Sequence, residues 1–164
     1  MTSLNLGEHL LRQYPIALDI LNRWMDSEKL EKLSDDDDVF NIIFPRLDSL
    51  SVEDFNKLRD DRQFILMTAK MFKIYMMYLG LYFDGTNLQI INDSTYMSHL
   101  VKGGANKKEH IRAVQIIKFF DRLGLIFQRN ALWNQLVFIS KVYPHFLSEK
   151  DYVSKYINPA DFYT

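Results

Sequence analysis

Apolar residues recur every three or four positions along almost the whole chain, and this periodicity limits what the chain can fold into. The clearest run is the series Phe64, Thr68, Met71, Tyr75, Leu79 and Tyr82. Side chains at this spacing share one face of an α-helix. We therefore predict a long helix from about Asp61 to Phe83, enclosed by other helices because further apolar residues widen its stripe. The fold class predicted is all-α, a single globular domain of about seven to nine helices.

Prolines and capping residues set the predicted boundaries in the first half of the chain. Pro15 suits the first turn of a helix, so a short N-terminal helix is expected to end before it and a second helix to begin there. Ser34 followed by Asp35 to Asp38 is typical of a cap and an acidic first turn. Pro45 is expected to end that short helix. Ser51 with Asp54 three residues later resembles a capping box.

Glycines and caps divide the second half in the same way. The segment Leu88 to Ile91 could be extended but is too short to support a sheet alone. Asp93 is expected to open a helix that ends near Gly103-Gly104. Asn106, with Glu109 at the reciprocal position, predicts a capping box for the next helix, which should end at Gly124.

The last part of the chain predicts two more helices and completes the expected core. One helix runs from Ala131 to Tyr143, and another begins near Ser148 with Asp151 three residues on. We expect Ile16, Ile20, Leu21 and Trp24 to share one face of the second helix. The residues predicted to be central to the core are Trp24, Phe44 and Leu123.

Composition excludes several classes of protein. The chain has no cysteine, which removes disulfides and thiolate chemistry and agrees with an intracellular, cytoplasmic location. Met1 to Ile16 lacks the basic start and apolar core of a signal peptide. The most apolar segment, Phe64 to Phe83, is interrupted by lysines and predicts a core helix with no membrane insertion. The net charge is −1, so nucleic acid is disfavoured as a partner.

One basic helix face is the candidate binding surface. Its residues follow spacings of four, three, three and four along the predicted helix, and they are Lys108, Arg112, Gln115, Lys118 and Arg122. The region from Lys102 to Arg129 has a local charge of +5, whereas Asp26 to Asp61 has −7. This asymmetry could dock an acidic partner, or the two regions could neutralise each other within the molecule.

Other clusters give weaker indications of chemistry. Asp35 to Asp38 could attract a divalent cation, but the run is better explained as the acidic start of a helix. Gly103 to Lys108 does not match a phosphate-binding loop. The histidines lie at no metal-ligand spacing, and no nucleophile motif occurs. We therefore predict no catalytic residue, no metal ligand and no cofactor.

A second candidate surface could come from Tyr75, Tyr78 and Tyr82 with Met76 and Met77. Aromatic residues and methionines suit an adaptable peptide groove. The same residues at helical spacing also suit a helical core, and both interpretations stay open.

Four segments in a fixed order resemble the conserved domain of the opioid growth factor receptor family. They are Ile20-Leu21-Asn22-Arg23-Trp24, Asn41-Ile42-Ile43-Phe44-Pro45, Tyr78-Leu79-Gly80-Leu81, and His110 through Leu123-Gly124-Leu125. The resemblance covers about residues 16–143 and includes Arg112 near the start of the last segment. It implies a stand-alone, bacterial-type member with a helical fold and no catalytic activity in the conserved domain.

The expected function is thus a non-enzymatic protein- or peptide-interaction domain. One alternative is a helical small-molecule-binding protein or enzyme whose pocket is assembled from distant helices. A less favoured alternative is nucleic-acid binding through the Lys108–Arg122 face.

Overall fold

The helices account for most of the fold in a computed structural model, which describes residues 6–150. Within that range the α-helices are Leu6–Asp26 (α1), Lys32–Asp35 (α2), Asp37–Ile43 (α3), Val52–Asp60 (α4), Arg62–Tyr78 (α5), Asp93–Thr95 (α6), Lys108–Leu123 (α7) and Ile126–Val142 (α8). Short 3-10 helices cover Leu47–Ser49 and Ala105–Lys107, and a π-helix covers Tyr96–Val101. The all-α prediction is confirmed, with one small hairpin added.

Helix α1 runs without a break through Pro15, so the predicted division into two helices is wrong. Its buried face consists of Leu10, Tyr14, Ala17 and Leu21. This stripe crosses the proline and packs against α3 and α5. Burial of the stripe offsets the backbone hydrogen bond that a proline removes. The face expected for the second helix is also displaced, because Ile16 is exposed.

The acidic run is divided between two short helices. Asp36, and not Ser34, caps α3 by accepting a hydrogen bond from the Val39 backbone amide. The helix ends at Ile43, two residues before Pro45 as predicted. The predicted capping box of α4 is confirmed, with Ser51 and Asp54 bonded reciprocally.

Helix α5 ends at Tyr78, earlier than predicted, and the chain then forms a β-hairpin. Leu81–Phe83 (β1) pairs antiparallel with Leu88–Ile90 (β2). Gly80 makes the change of direction at φ +81°, and a side chain there would meet the Asn92 carbonyl at 2.6 Å. The apolar pattern does not stop where the helix ends, because Leu81 and Phe83 of β1 are also apolar and buried. The pattern therefore predicts a longer helix than the structure has.

The start of α7 differs from the predicted capping box. Asn106 and Lys107 both have positive φ, and the helix begins at Lys108 without a side-chain cap. Glu109 is buried and bonded to side chains elsewhere, so it is not available to the Asn106 backbone. Gly124 ends the helix in the left-handed region, as predicted.

An aromatic cluster forms the centre of the core. Phe44 lies 5.6 Å from the ring of Tyr75 and 5.6 Å from that of Phe120. Phe44 and Leu123 are buried, which confirms two of the three core predictions. Trp24 is only partly buried and packs at the edge of the core.

The remaining boundaries need only small corrections. Helix α8 begins at Ile126, five residues before the predicted start, and most of the last predicted helix, after Ser148, lies outside the described residues. No helix among residues 6–150 combines the length and apolarity needed to cross a lipid bilayer.

Candidate functional site

The predicted basic face exists as one side of α7, but its first half is turned toward the acidic part of the chain. Lys108 Nζ donates a 2.9 Å hydrogen bond to the Ser34 carbonyl. Gln115 Nε2 donates to the Phe44 carbonyl at 2.6 Å and to Asn41 Oδ1 at 3.0 Å. These contacts hold residues 33–44, which include most of α2 and all of α3, against α7.

Arg112 lies at the centre of this half and is only 4% exposed. It donates to the Leu33 carbonyl at 2.8 Å and to Asp37 Oδ1 at 2.7 Å. It also donates to Glu109 at 3.2 Å and lies 4.7 Å from the centre of the Phe40 ring. A buried guanidinium needs such partners because an unpaired charge in the interior is costly.

Glu109 is the buried anion that faces Arg112. Its carboxylate accepts hydrogen bonds from the hydroxyls of Tyr75 at 2.5 Å and Tyr78 at 2.8 Å. Burial raises the pKa of both tyrosines, and the negative charge of Glu109 raises it further. Both hydroxyls therefore stay protonated and act as donors at neutral pH.

The charges of Asp37 and Arg112 stabilise each other. The hydrogen bond from Arg112 holds the pKa of Asp37 below its usual value, and the positive charges of Lys108 and Arg112 lower it further. Burial alone lowers the pKa of Arg112, but Tyr75 and Glu109 raise it and the net shift is upward. A network of ion pairs and hydrogen bonds thus joins α3, α5 and α7, and its members are Asp37, Arg112, Glu109 and Tyr75.

Farther along the face, Gln115 and Lys118 line an open cleft of about 400 Å³. The apolar side chains of Ile111 and Val114, also on α7, line the same cleft. The opposite wall is the turn after Pro45, with Arg46, Leu47 and Asp48. Ile111 is 46% exposed, so the cleft has an apolar floor that water can reach.

The cleft has a positive end. Arg46 pairs with Asp48 at 3.1 Å, an exposed contact. Within residues 6–150, Lys118 has no ion-pair partner, although it is half-buried. Arg122 is exposed one turn farther along α7, where Arg59 donates to its carbonyl at 2.7 Å. Basic side chains from both the basic and the acidic parts of the sequence therefore lie at this end of the cleft.

The other sequence candidates are occupied by contacts within the fold. Tyr75, Tyr78 and Met76 are core residues, whereas Met77 and Tyr82 are exposed. His99 Nε2 lies 2.9 Å from Glu31, and its other ring nitrogen lies 3.0 Å from the Ser98 hydroxyl. No group of three or more histidines and carboxylates among the described residues could hold a metal ion.

Sequence reasoning missed the wall of the cleft that Arg46 and Asp48 supply. These residues follow Pro45 and lie far from α7 in the chain, so helical spacing could not place them there. One signal was present: Ile111 is an apolar residue on the polar side of an otherwise amphipathic helix, which is typical of a covered or ligand-contacting position.

Comparison of the chain with protein-family models, with curated proteins and with solved structures finds no match in any of the three.

Proposed function

We propose that this protein is a non-enzymatic interaction domain that binds a segment of another protein in the cleft between α7 and the turn after Pro45. The ligand is an acidic peptide segment that also carries an apolar side chain. The observation that carries this proposal is Lys118, a half-buried cation on the cleft wall without an ion-pair partner among the described residues. A carboxylate from a partner would supply the missing charge.

The shape of the cleft suits a short peptide better than a flat protein surface. A volume of about 400 Å³ accommodates a few side chains. Ile111 and Leu47 offer an apolar contact, and Lys118 offers positive charge beside it. The charge of Arg46 is already paired with Asp48. A peptide that places an apolar residue next to an acidic one would contact both kinds of surface.

The resemblance to the opioid growth factor receptor family supports an interaction role in the same direction. In that family the conserved domain is associated with binding and carries no enzymatic activity, and a cysteine-free chain suits an intracellular partner. Of the residues predicted as a partner face, Lys118 lines the cleft and Arg122 is exposed one turn farther along α7. Lys108, Arg112 and Gln115 position α7 relative to the cleft wall.

A peptide array tests the proposal directly. The full chain, labelled with a fluorophore, is applied to peptides of about eight residues that vary separately in acidic and apolar content, long enough to place a few side chains in the cleft. We expect retention on peptides that combine Asp or Glu with Leu, Ile or Phe, and weak retention on neutral or basic peptides.

Two variants with equal charge changes provide the control. Lys118→Glu should abolish retention, whereas Lys70→Glu, at an exposed position on α5, should leave it unchanged. Amide NMR shifts on peptide addition should centre on Ile111 and Gln115. Retention that ignores peptide charge, or that survives Lys118→Glu, contradicts the proposal, as does retention of duplex DNA at about 0.15 M salt.

A further inference from the structure

The cleft wall opposite α7 holds an ion pair within a single turn. The Ser49 backbone amide donates to the Arg46 carbonyl at 3.1 Å, and the Ser49 hydroxyl donates to the same carbonyl at 2.6 Å. These bonds close the 3-10 turn Leu47–Ser49. Across the turn, Arg46 Nη2 donates to Asp48 Oδ2 at 3.1 Å. The guanidinium of Arg46 is therefore engaged before any ligand enters the cleft.

The charged side chains that line the cleft leave one positive charge uncompensated. They are Arg46, Asp48 and Lys118. Arg46 and Asp48 neutralise each other, whereas Lys118 pairs with no carboxylate in the part of the chain that the structure describes. A first ligand carboxylate meets Lys118 without competition. A second one can gain an ion pair at Arg46 only by competing with Asp48 for the guanidinium.

We propose that Asp48 is a specificity-determining residue that limits the preferred ligand to one carboxylate, an inference that rests on the peptide-binding role proposed for the cleft. Asp48 acts by holding Arg46, so that a second acidic side chain in the ligand finds no available cation on this wall. A binding site discriminates through contacts that it withholds as well as through those that it offers. The matching segment carries a single Asp or Glu beside its apolar residue, and a run of acidic residues gains nothing more.

The exposure of the pair sets the size of the effect. The side chains of Arg46 and Asp48 are 67% and 71% exposed. Ion pairs in contact with water are weak, so competition from Asp48 should weaken the binding of a second carboxylate by about two- to fivefold. Salt screens such a pair, and the effect should shrink as the ionic strength rises.

Matched peptides test the proposal by fluorescence anisotropy. Each peptide has one acidic and one apolar residue, and its partner peptide has a second acidic residue in place of Gln, at each remaining position in turn. For wild type, the second acidic residue should leave Kd almost unchanged at every position. For Asp48→Asn, it should lower Kd by about two- to fivefold at the positions that reach Arg46. The four Kd values for one pair of peptides form a double-mutant cycle.

Two further variants separate the role of Arg46 from a change in net charge. Asp38→Asn makes the same charge change at an exposed residue of α3 that does not line the cleft, and it should leave the ratio of the two Kd values as in wild type. Arg46→Gln combined with Asp48→Asn removes the released cation and should abolish the gain. Circular dichroism checks that each variant is folded.

The outcomes for the peptide with one carboxylate distinguish this inference from the proposed function. If that peptide binds wild type and Lys118→Glu abolishes its binding, the cleft has its proposed role. An equal ratio of Kd values for wild type and Asp48→Asn then overturns the role of Asp48 alone. A gain that persists without Arg46, or that Asp38→Asn reproduces, overturns it as well. Failure of every peptide to bind wild type overturns both the proposed function and this inference.

Discussion

Arg112 and Asp37 connect the basic helix to the acidic part of the chain through one hydrogen bond of 2.7 Å. The Arg112 side chain is 4% exposed and the Asp37 side chain 64%. The guanidinium is thus held in the interior, while the carboxylate that pairs with it remains in contact with water. This asymmetry determines how the fold responds to mutation and to pH.

Removing Arg112 should strongly destabilise the fold. Arg112→Met leaves the carboxylate of Glu109 buried without its cation, and we expect a loss of about 3–5 kcal/mol in the free energy of unfolding. Adding Glu109→Gln should recover part of that loss, because the uncompensated charge is then removed. Urea unfolding of the two single variants and the double variant measures this coupling. Additive losses would mean that the two groups do not act as a pair.

Asp37 should make stability fall in acid. Its folded pKa lies below the ordinary value of 3.8, so its contribution is complete above the unfolded pKa and is lost as pH falls through the folded pKa. The free energy of unfolding, measured from pH 6 downward, should therefore decrease once the pH falls below about 4. Asp37→Asn should flatten that drop, whereas Asp38→Asn, one residue along, should not.

Gly103 should tolerate alanine less well than Gly124. Both have positive φ, which costs an alanine about 1–2 kcal/mol. At Gly103 the added methyl group would also lie 2.8 Å from the His110 ring, whereas nothing lies within 4 Å at Gly124. Thermal unfolding of Gly103→Ala and Gly124→Ala should show a clearly larger loss for the first. Equal losses would show that the His110 ring moves aside.

Phe44 should matter more to stability than Trp24, although the sequence predicts both to be central to the core. Phe44 is fully buried between Tyr75 and Phe120, so Phe44→Ala should cost about 3–5 kcal/mol. Trp24 is partly exposed at the edge of the core, and Trp24→Ala should cost less. Chemical denaturation compares the two, and a greater loss at Trp24 would contradict the assigned packing.

The sequence predicts the fold class well because helical periodicity and local caps are short-range signals. Ser51–Asp54 and Gly124 were placed correctly for this reason. The helix boundary predicted at Pro15 is wrong because the buried face of α1 packs against α3 and α5. That packing is a tertiary effect, which local helix propensity does not include.

The candidate site was predicted only in part, for a related reason. Spacing along α7 correctly placed Lys108 and Arg112 on one face, but it could not show that Asp37 would cover them. Arg112 is paired, whereas Lys118 has no ion-pair partner among the described residues. This difference depends on which distant segment of the chain lies opposite each cation. That information enters only when the chain is packed.

The contacts from α7 to residues 33–44 have a consequence for how this fold can diverge. Lys108, Arg112 and Gln115 donate to the backbone carbonyls of Ser34, Leu33 and Phe44. Every amino acid offers that same acceptor, so Ser34 can change without altering the bond. We expect homologues of this chain to retain the three donor side chains while the residues opposite them vary. Sequence similarity among such homologues should then be highest on α7.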